Sequence, residues 1–267
     1  MAGPGYVAYR VVCAPALEDE LIARLWERGT AGVEHQKDGS LLAYFPAGTR
    51  LDAEGLGDDV RVEAVPVPEV DWVARFKEGF RAFDAGRFRI VPVWDAAAPD
   101  ARTLIVDPGR AFGTGTHETT RLCLDALGRL ADGPGLGRVI DIGTGSGLLA
   151  IAALRLGATT AVGVDNDPEA MPAASLHAKL NRVTLPVFVG DGGQALRAGV
   201  FDTVLANLMA PLLLDKKSEL QRLRSPRGRL VLSGLLLEDL ELIRQAYADL
   251  GTLAEMRQGE WAALIVG

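Results

Sequence analysis

The chain has 267 residues, of which 48% are hydrophobic and 24% charged, and it carries two cysteines and a formal charge of −7. That length allows one large domain, or a catalytic domain with a small companion, and the composition excludes a fibrous or disordered chain. The acidic balance speaks against a protein that grips phosphate backbones over a broad face, so a direct nucleic-acid substrate is not expected.

No stretch approaches the roughly 20 apolar residues of a membrane span. The start Met1-Ala-Gly-Pro-Gly5 lacks the basic patch and apolar run of a secretory signal, which leads to the expectation of a cytoplasmic protein with no membrane partner. Cys13 and Cys123 show no Cys-x-x-Cys spacing and read as buried thiols. His35 and His177 have no sequence partners that suggest a metal, and none is expected.

In chain order, Tyr6 to Cys13 alternates as a strand and Leu17 to Arg28 places Leu17, Leu21, Ile22 and Leu25 on one helical face. Asp38-Gly39 marks a turn between short strand-like runs, and Arg61 to Val67 adds a strand before Pro66 and Pro68 interrupt it. Asp71 to Phe83 carries Trp72, Phe76 and Phe80 at helical spacing. The expectation is a small ferredoxin-like α/β module over residues 1–67 and a helical linker over 68–86. From 87 to 267 strands alternate with helices, the pattern of a Rossmann-like, doubly wound, mostly parallel sheet. Strands are expected at Arg138 to Ile142, Ala161 to Asp165, Pro186 to Val189, Thr203 to Ala206, Arg229 to Ser233 and Trp261 to Val266. Helices are expected at Leu148 to Leu156, Glu169 to Asn181, Ala210 to Leu223 and Leu237 to Leu250.

In such a sheet, ligands bind beyond the carboxyl ends of the strands, where glycines let the backbone come close. Asp141-Ile-Gly-Thr-Gly-Ser-Gly147 sits at that place. A dinucleotide loop would read Gly-x-Gly-x-x-Gly, but after Gly143 and Gly145 the sixth position is Leu148, which favours a ligand without pyrophosphate. Asp141 suits a cationic ligand end, such as the methionyl end of S-adenosylmethionine, better than phosphate. Asp165 ends the next strand about 20 residues on, where a carboxylate can accept both ribose hydroxyls of an adenosine. Asp167 competes for that role but precedes Pro168 and reads as a helix cap. Asp191 is open between the adenine amino group and solvent.

The run Leu205-Ala-Asn-Leu-Met-Ala-Pro211 presents Asn207 at the carboxyl edge of the fourth strand. An amine acceptor must be deprotonated and aimed for in-line attack, and an amide oxygen with a nearby backbone carbonyl can hold it by its hydrogens. The alternative is a strand-end Asn closing its own turn. Upstream, Asp107-Pro-Gly-Arg-Ala-Phe-Gly-Thr-Gly-Thr-His-Glu-Thr-Thr120 opens a helix running to about Leu130. There Phe112 can stack on or enclose a cofactor, with Thr116 as the candidate N-cap and His117 a weaker candidate base.

Pro108 to Thr120, Asp141 to Gly147, Gly163-Val-Asp-Asn-Asp-Pro168 and Asn207-Leu-Met-Ala-Pro-Leu212 together resemble the bacterial PrmA family, which methylates ribosomal protein eleven of the large subunit. The similarity extends over nearly the whole chain and is most specific in the Phe112 to Thr120 run. It implies a class I methyltransferase that moves methyl groups from S-adenosylmethionine to lysine side chains and the N-terminal amine, up to trimethylation, leaving S-adenosylhomocysteine. Carried over by motif, the cofactor contacts are Thr120, Gly143, Asp165 and Asn207, with Phe112 and Gly145 close by. The resemblance also implies that the N-terminal module recognises the substrate. Outside it, a methyltransferase for another nitrogen, in a glutamine side chain, a nucleobase or a small metabolite, remains the alternative. Leu208-Met209-Ala210 offers no aromatic platform for a planar acceptor. No obvious exposed apolar stripe runs through the sequence, and a monomer is expected.

Overall fold

The structure, a computed structural model, describes residues 6–14, 17–36, 38–53, 56, 60–66, 80–96, 100–108 and 115–267. The chain divides into two compact units, Met1–Asp71 and Trp72–Gly267.

The first unit contains β1 (Tyr6–Val12), α1 (Glu18–Glu27), β2 (Gly32–His35), β3 (Leu41–Pro46) and β4 (Arg61–Val65). The strands form an antiparallel sheet of order β2-β3-β1-β4. The segment between β3 and β4, where a ferredoxin-like module carries its second helix, is described only in part. Leu21 and Leu25, one helical turn apart on α1, are buried with Val11, Leu41 and Phe45. Each such side chain taken out of water stabilises the unit by roughly 1.5–3 kcal/mol. Tyr9 sets its ring edge 6.0 Å from Phe45 and donates its hydroxyl to Thr49 O at 2.8 Å, so a large ring is buried without an orphaned polar atom. Cys13 is only half-buried, not buried as expected, because it lies just past the end of β1.

The second unit holds β5 (Phe83–Ala85), β6 (Phe88–Pro92), β7 (Thr103–Val106), α2 (Glu118–Asp132), β8 (Arg138–Ile142), α3 (Leu148–Arg155), β9 (Thr160–Asp165), α4 (Ala170–Leu180), β10 (Val187–Val189) and β11 (Phe201–Asn207). It continues with α5 (Ala210–Asp215), α6 (Lys217–Leu223), β12 (Arg224–Leu236), α7 (Leu240–Ala246), β13 (Thr252–Gln258) and β14 (Trp261–Val266). Seven strands form one sheet of order β10-β9-β8-β11-β12-β14-β13, with β14 antiparallel to both its neighbours. A smaller sheet, β5-β6-β7, precedes it in the chain.

Period-two alternation sorts the side chains of the seven-stranded sheet onto two faces. Val139, Leu205 and Val231 join the core built with α2, α3 and α4, while Ile140, Val204 and Leu232 join the core built with α5, α6 and α7. Helices therefore cover both faces, as the alternating pattern required. After β8 the chain winds outwards through β9 and β10, then returns to place β11 on the other side of β8. That reversal falls between β8 and β11, and the carboxyl ends of strands at such a point are where doubly wound sheets bind ligands.

Several expectations are corrected. Of the helix foreseen over Asp71 to Phe83, residues 71–79 lie outside the described residues, and Phe83 opens β5 instead. The single helix foreseen from Ala210 to Leu223 is divided at Lys216. Hydrogen bonds from Lys216 N to Leu212 O and from Leu220 N to Lys216 O run through the break, which makes it a kink rather than a loop. Strands β5, β6, β7 and β13 were not foreseen. The first three are short, and β13 is a largely exposed edge strand whose residues do not alternate cleanly.

Candidate functional site

The turn from β8 into α3 lies at this reversal point. Gly143, Gly145 and Gly147 there have φ values of 74°, 50° and 76°, in the left-handed region that disfavours any side chain. Gly143 and Thr144 both donate their backbone N–H to Val164 O at 2.9 Å, which hangs the loop on the end of β9. Space is short as well as conformation: a Cβ on Gly143 would stand 2.7 Å from Leu208 Cδ2.

Asp141 is 1% exposed and sits on the α2 and α3 face of the sheet. Its Oδ2 accepts the Thr144 hydroxyl at 2.8 Å, whereas its Oδ1 is buried without a hydrogen-bond partner among the described residues. Burial pushes the Asp141 carboxyl up to about 7, with the Asp165 charge adding to the rise and hydrogen bonds from the Thr144 side chain and Ala150 backbone opposing it. A buried carboxylate with a vacant oxygen is the kind of group that a cationic or hydrogen-bonding ligand satisfies.

Asp165 closes β9, half-buried. Its Oδ2 accepts from Gly145 N at 2.7 Å and its Oδ1 from Asp167 N at 3.0 Å, so the carboxylate braces the glycine loop. Each oxygen can accept a further hydrogen bond, which leaves capacity for two hydroxyls. Asp167 instead accepts from Glu169 N at 2.9 Å and shapes the turn before α4, whose N-cap is Glu169 rather than Asp167 as expected. Asp191 lies in solvent and pairs with Lys216 Nζ at 2.6 Å.

Asn207 ends β11. The pairing of Ala206 with Ile142 sets it level with Gly143, and on its other side it pairs with Ser233 of β12. It is half-buried, and its amide makes no hydrogen bond to a described residue. The Ser233 hydroxyl lies 3.3 Å from Thr119 O and 3.2 Å from Ala262 O, which brings the first turn of α2 and the start of β14 to this edge. Thr120, in that turn, is 1% exposed, and its Oγ1 is buried with no described partner. His117, not Thr116, caps α2: its Nδ1 accepts from Thr119 N at 3.3 Å, and its ring meets Trp261 edge-on at 4.8 Å. Phe112 lies outside the described residues.

Asp141, Gly143, Gly145, Asp165 and Asn207 therefore gather at one edge of three adjacent strands, β9, β8 and β11, with Thr120 on the helix that joins them through Ser233. Two polar residues of this region were not foreseen as part of it: His177 was weighed only as a metal ligand and Asn181 was not singled out. His177 and Asn181, one turn apart on α4, are 1% and 3% exposed and bond to backbone groups of β7 and the glycine loop. Their i, i+4 spacing beside Ala174 and Ala178 on an otherwise apolar face was the available signal. Among the described residues no three His, Cys, Asp or Glu side chains converge to hold a metal ion.

A family model described as ribosomal protein L11 methyltransferase (PrmA) matches residues 8–267. The ribosomal protein L11 methyltransferase of Thermus thermophilus is 38% identical over 252 residues, covering 93% of this chain and 94% of that protein. The protein of the same name from Pelobacter propionicus is 42% identical over 207 residues, covering 74% of this chain and 67% of the relative. Among solved structures, the ribosomal protein L11 methylase of Lactobacillus delbrueckii subsp. bulgaricus superposes with a TM-score of 0.63 at 34% identity, covering 70% of this chain and 98% of that one.

Proposed function

The chain belongs to the ribosomal protein L11 methyltransferase family, and from that premise we propose that it transfers methyl groups from S-adenosylmethionine to amines of ribosomal protein L11, namely lysine side chains and the N-terminal amine. The observation that carries this reading is the meeting of the braced glycine loop with the uncommitted amide of Asn207 at the reversal point of the sheet.

When bound, S-adenosylmethionine supplies an electrophilic methyl group on a sulfonium centre. The residues present fit that ligand: Asp141 Oδ1 and Thr120 Oγ1 are buried polar atoms without partners among the described residues. Asp165 would accept the ribose hydroxyls while it holds Gly145, and Asp141 would offer its unpartnered oxygen to the cationic end, whose charge would favour the carboxylate form. Asn207 accepts hydrogen bonds from the neutral acceptor amine and, with a neighbouring backbone carbonyl, aims its lone pair. Positioning of this kind replaces a strong base. Phe112 is assigned to the cofactor's surroundings by the motif it shares with the family.

In this reading the unit Met1–Asp71 captures the protein substrate, the enzyme acts as a monomer in the cytoplasm, where ribosomes are built, and nucleic acid is not its substrate. The formal charge of −7 supports the last point. The test is incubation with methyl-labelled S-adenosylmethionine and unmodified ribosomal proteins, followed by mass spectrometry of what acquires label. Added methyl groups on lysine and N-terminal amines of the L11 protein are expected. Label on another nitrogen, or none, overturns the acceptor assignment.

A further inference from the structure

We propose that His177 is a positioning residue for the cofactor loop: it clamps the peptide of Ser146 to the end of β7. The inference deepens the methyltransferase reading and rests on it. His177 is 1% exposed and reaches two separate segments. Its Nδ1 lies 2.8 Å from Ser146 O, and Asp107 N lies 2.9 Å from its Nε2. Nε2 lies near both Asp107 N, at 2.9 Å, and Asp107 O, at 3.3 Å; the shorter contact is to a backbone N–H that can only donate, so Nε2 accepts there and Nδ1 donates its proton to Ser146 O. Both ring nitrogens are thus used.

Asn181 repeats the device one turn further along. It exchanges two hydrogen bonds with the backbone of Ile105, Oδ1 accepting from Ile105 N at 2.8 Å and Nδ2 donating to Ile105 O at 2.7 Å, as a neighbouring strand would. It also donates to His177 O at 2.8 Å, which steadies the clamp. Helix α4 thereby ties down β7 as far as Asp107 with one hand and the glycine loop with the other.

A merely space-filling histidine would have no reason to hold Ser146. That residue lies between Gly145 and Gly147, at φ values of 50° and 76°; a tight turn holds the N–H side of its peptide, Gly147 N donating to Thr144 O at 2.8 Å, and His177 holds the carbonyl side. The Val164 carbonyl anchors Gly143 and Thr144, and the Asp165 carboxylate anchors Gly145. His177 anchors the next peptide. A donor carried on a helix fixes the loop before the ligand arrives, so binding need not pay that ordering cost.

Two substitutions divide the clamp. The Asn side chain places an amide N–H near the position of the histidine Nδ1, so His177→Asn keeps the donor to Ser146 O and loses the acceptor for Asp107 N. The longer His177→Gln reaches the Nε2 position, keeps the acceptor and loses the donor. Binding of S-adenosylhomocysteine by calorimetry, the KM for S-adenosylmethionine and kcat are measured for both variants beside the wild type, with thermal melting recorded separately. For H177Q, the dissociation constant and KM are expected to rise about tenfold, the scale of one lost buried hydrogen bond, with kcat within about twofold. H177N should stay within about threefold of the wild type in affinity. Unchanged cofactor affinity in folded H177Q, or equal loss in both variants, overturns the positioning role. Failure of the wild type to bind S-adenosylhomocysteine would remove the methyltransferase reading and this inference with it.

Discussion

Strands β8 and β11 lie side by side and parallel, and each carries a polar residue near both ends. At their amino ends, Arg138 grips Asp202 through Nε at 3.0 Å and Nη2 at 3.2 Å, and the Ser225 hydroxyl adds a third partner at 3.0 Å. Every acceptor there is served, the pair is half-exposed, and hydrogen bonding from Arg138 draws the Asp202 carboxyl down to about 2. At their carboxyl ends, Asp141 keeps one buried oxygen unpaired and is pushed up to about 7, while Asn207 has an uncommitted amide. One sheet thus holds two carboxylates in opposite electrostatic states. The end whose polar groups are satisfied serves the fold, and the end whose groups are left wanting serves a ligand.

That contrast can be broken most sharply at Asn207. Asn207→Ala should lower kcat by roughly 100-fold or more, because a misaimed acceptor loses the advantage of orientation. Its melting temperature should stay within about 2 °C of the wild type. Steady-state rates with labelled cofactor and ribosomal protein check this, and undiminished turnover would end the orienting role.

Asp165→Ala removes two hydrogen bonds to a charged acceptor, together with the brace on Gly145, and should weaken S-adenosylhomocysteine binding by tens of fold. Calorimetry measures it. Arg138→Ala, at the other end of the same strands, should leave that affinity untouched.

The two carboxylates should also impose opposite pH slopes on stability. Asp141 holds its proton in the folded state from its ordinary 3.8 up to about 7, so its effect is to make the ligand-free protein less stable as pH rises through that window and level above it. Asp202 titrates at about 2 when folded, so the stability it contributes is present above its ordinary 3.8 and disappears as pH falls towards about 2. Melting curves across pH should show the first slope flattened in Asp141→Asn and the second in Asp202→Asn. Parallel curves for Asp141→Asn and wild type between pH of about 4 and 7 would contradict the buried state of Asp141.

The smallest effect belongs to the satisfied end. Arg138→Ala breaks a half-exposed ion pair, worth about 0–1 kcal/mol at neutral pH, and should leave kcat unchanged. Denaturant titration measures the first and the methyl-transfer assay the second.

Much of the catalytic unit was readable because its signals are local. The limits of β8 and β14 match those expected, and α3 and α4 end within a residue of the helices expected at Leu148 to Leu156 and Glu169 to Asn181. The glycine loop, Asp165 and Asn207 were legible because each marks the end of a strand, and parallel strands bring their carboxyl ends together whatever else the chain does. The kink at Lys216 was not legible, since the hydrogen-bond ladder runs through it. The cap of α2 fell on His117 rather than Thr116, a choice between adjacent acceptors that backbone geometry makes.

Sequence by itself determined where the backbone must turn left-handed, which strands end in polar groups, and the helix-strand rhythm that builds a doubly wound sheet. Tertiary structure alone decided what those polar groups became. Whether a carboxylate rests near 2 or near 7 depends on the neighbours that folding delivers, and Asp202 found Arg138 while Asp141 was buried away from water with no cation beside it among the causes of its shift. His177 is the extreme case. Its partner Asp107 is 70 residues away in the chain, a separation over which no local pattern carries information about a hydrogen bond of a few ångströms.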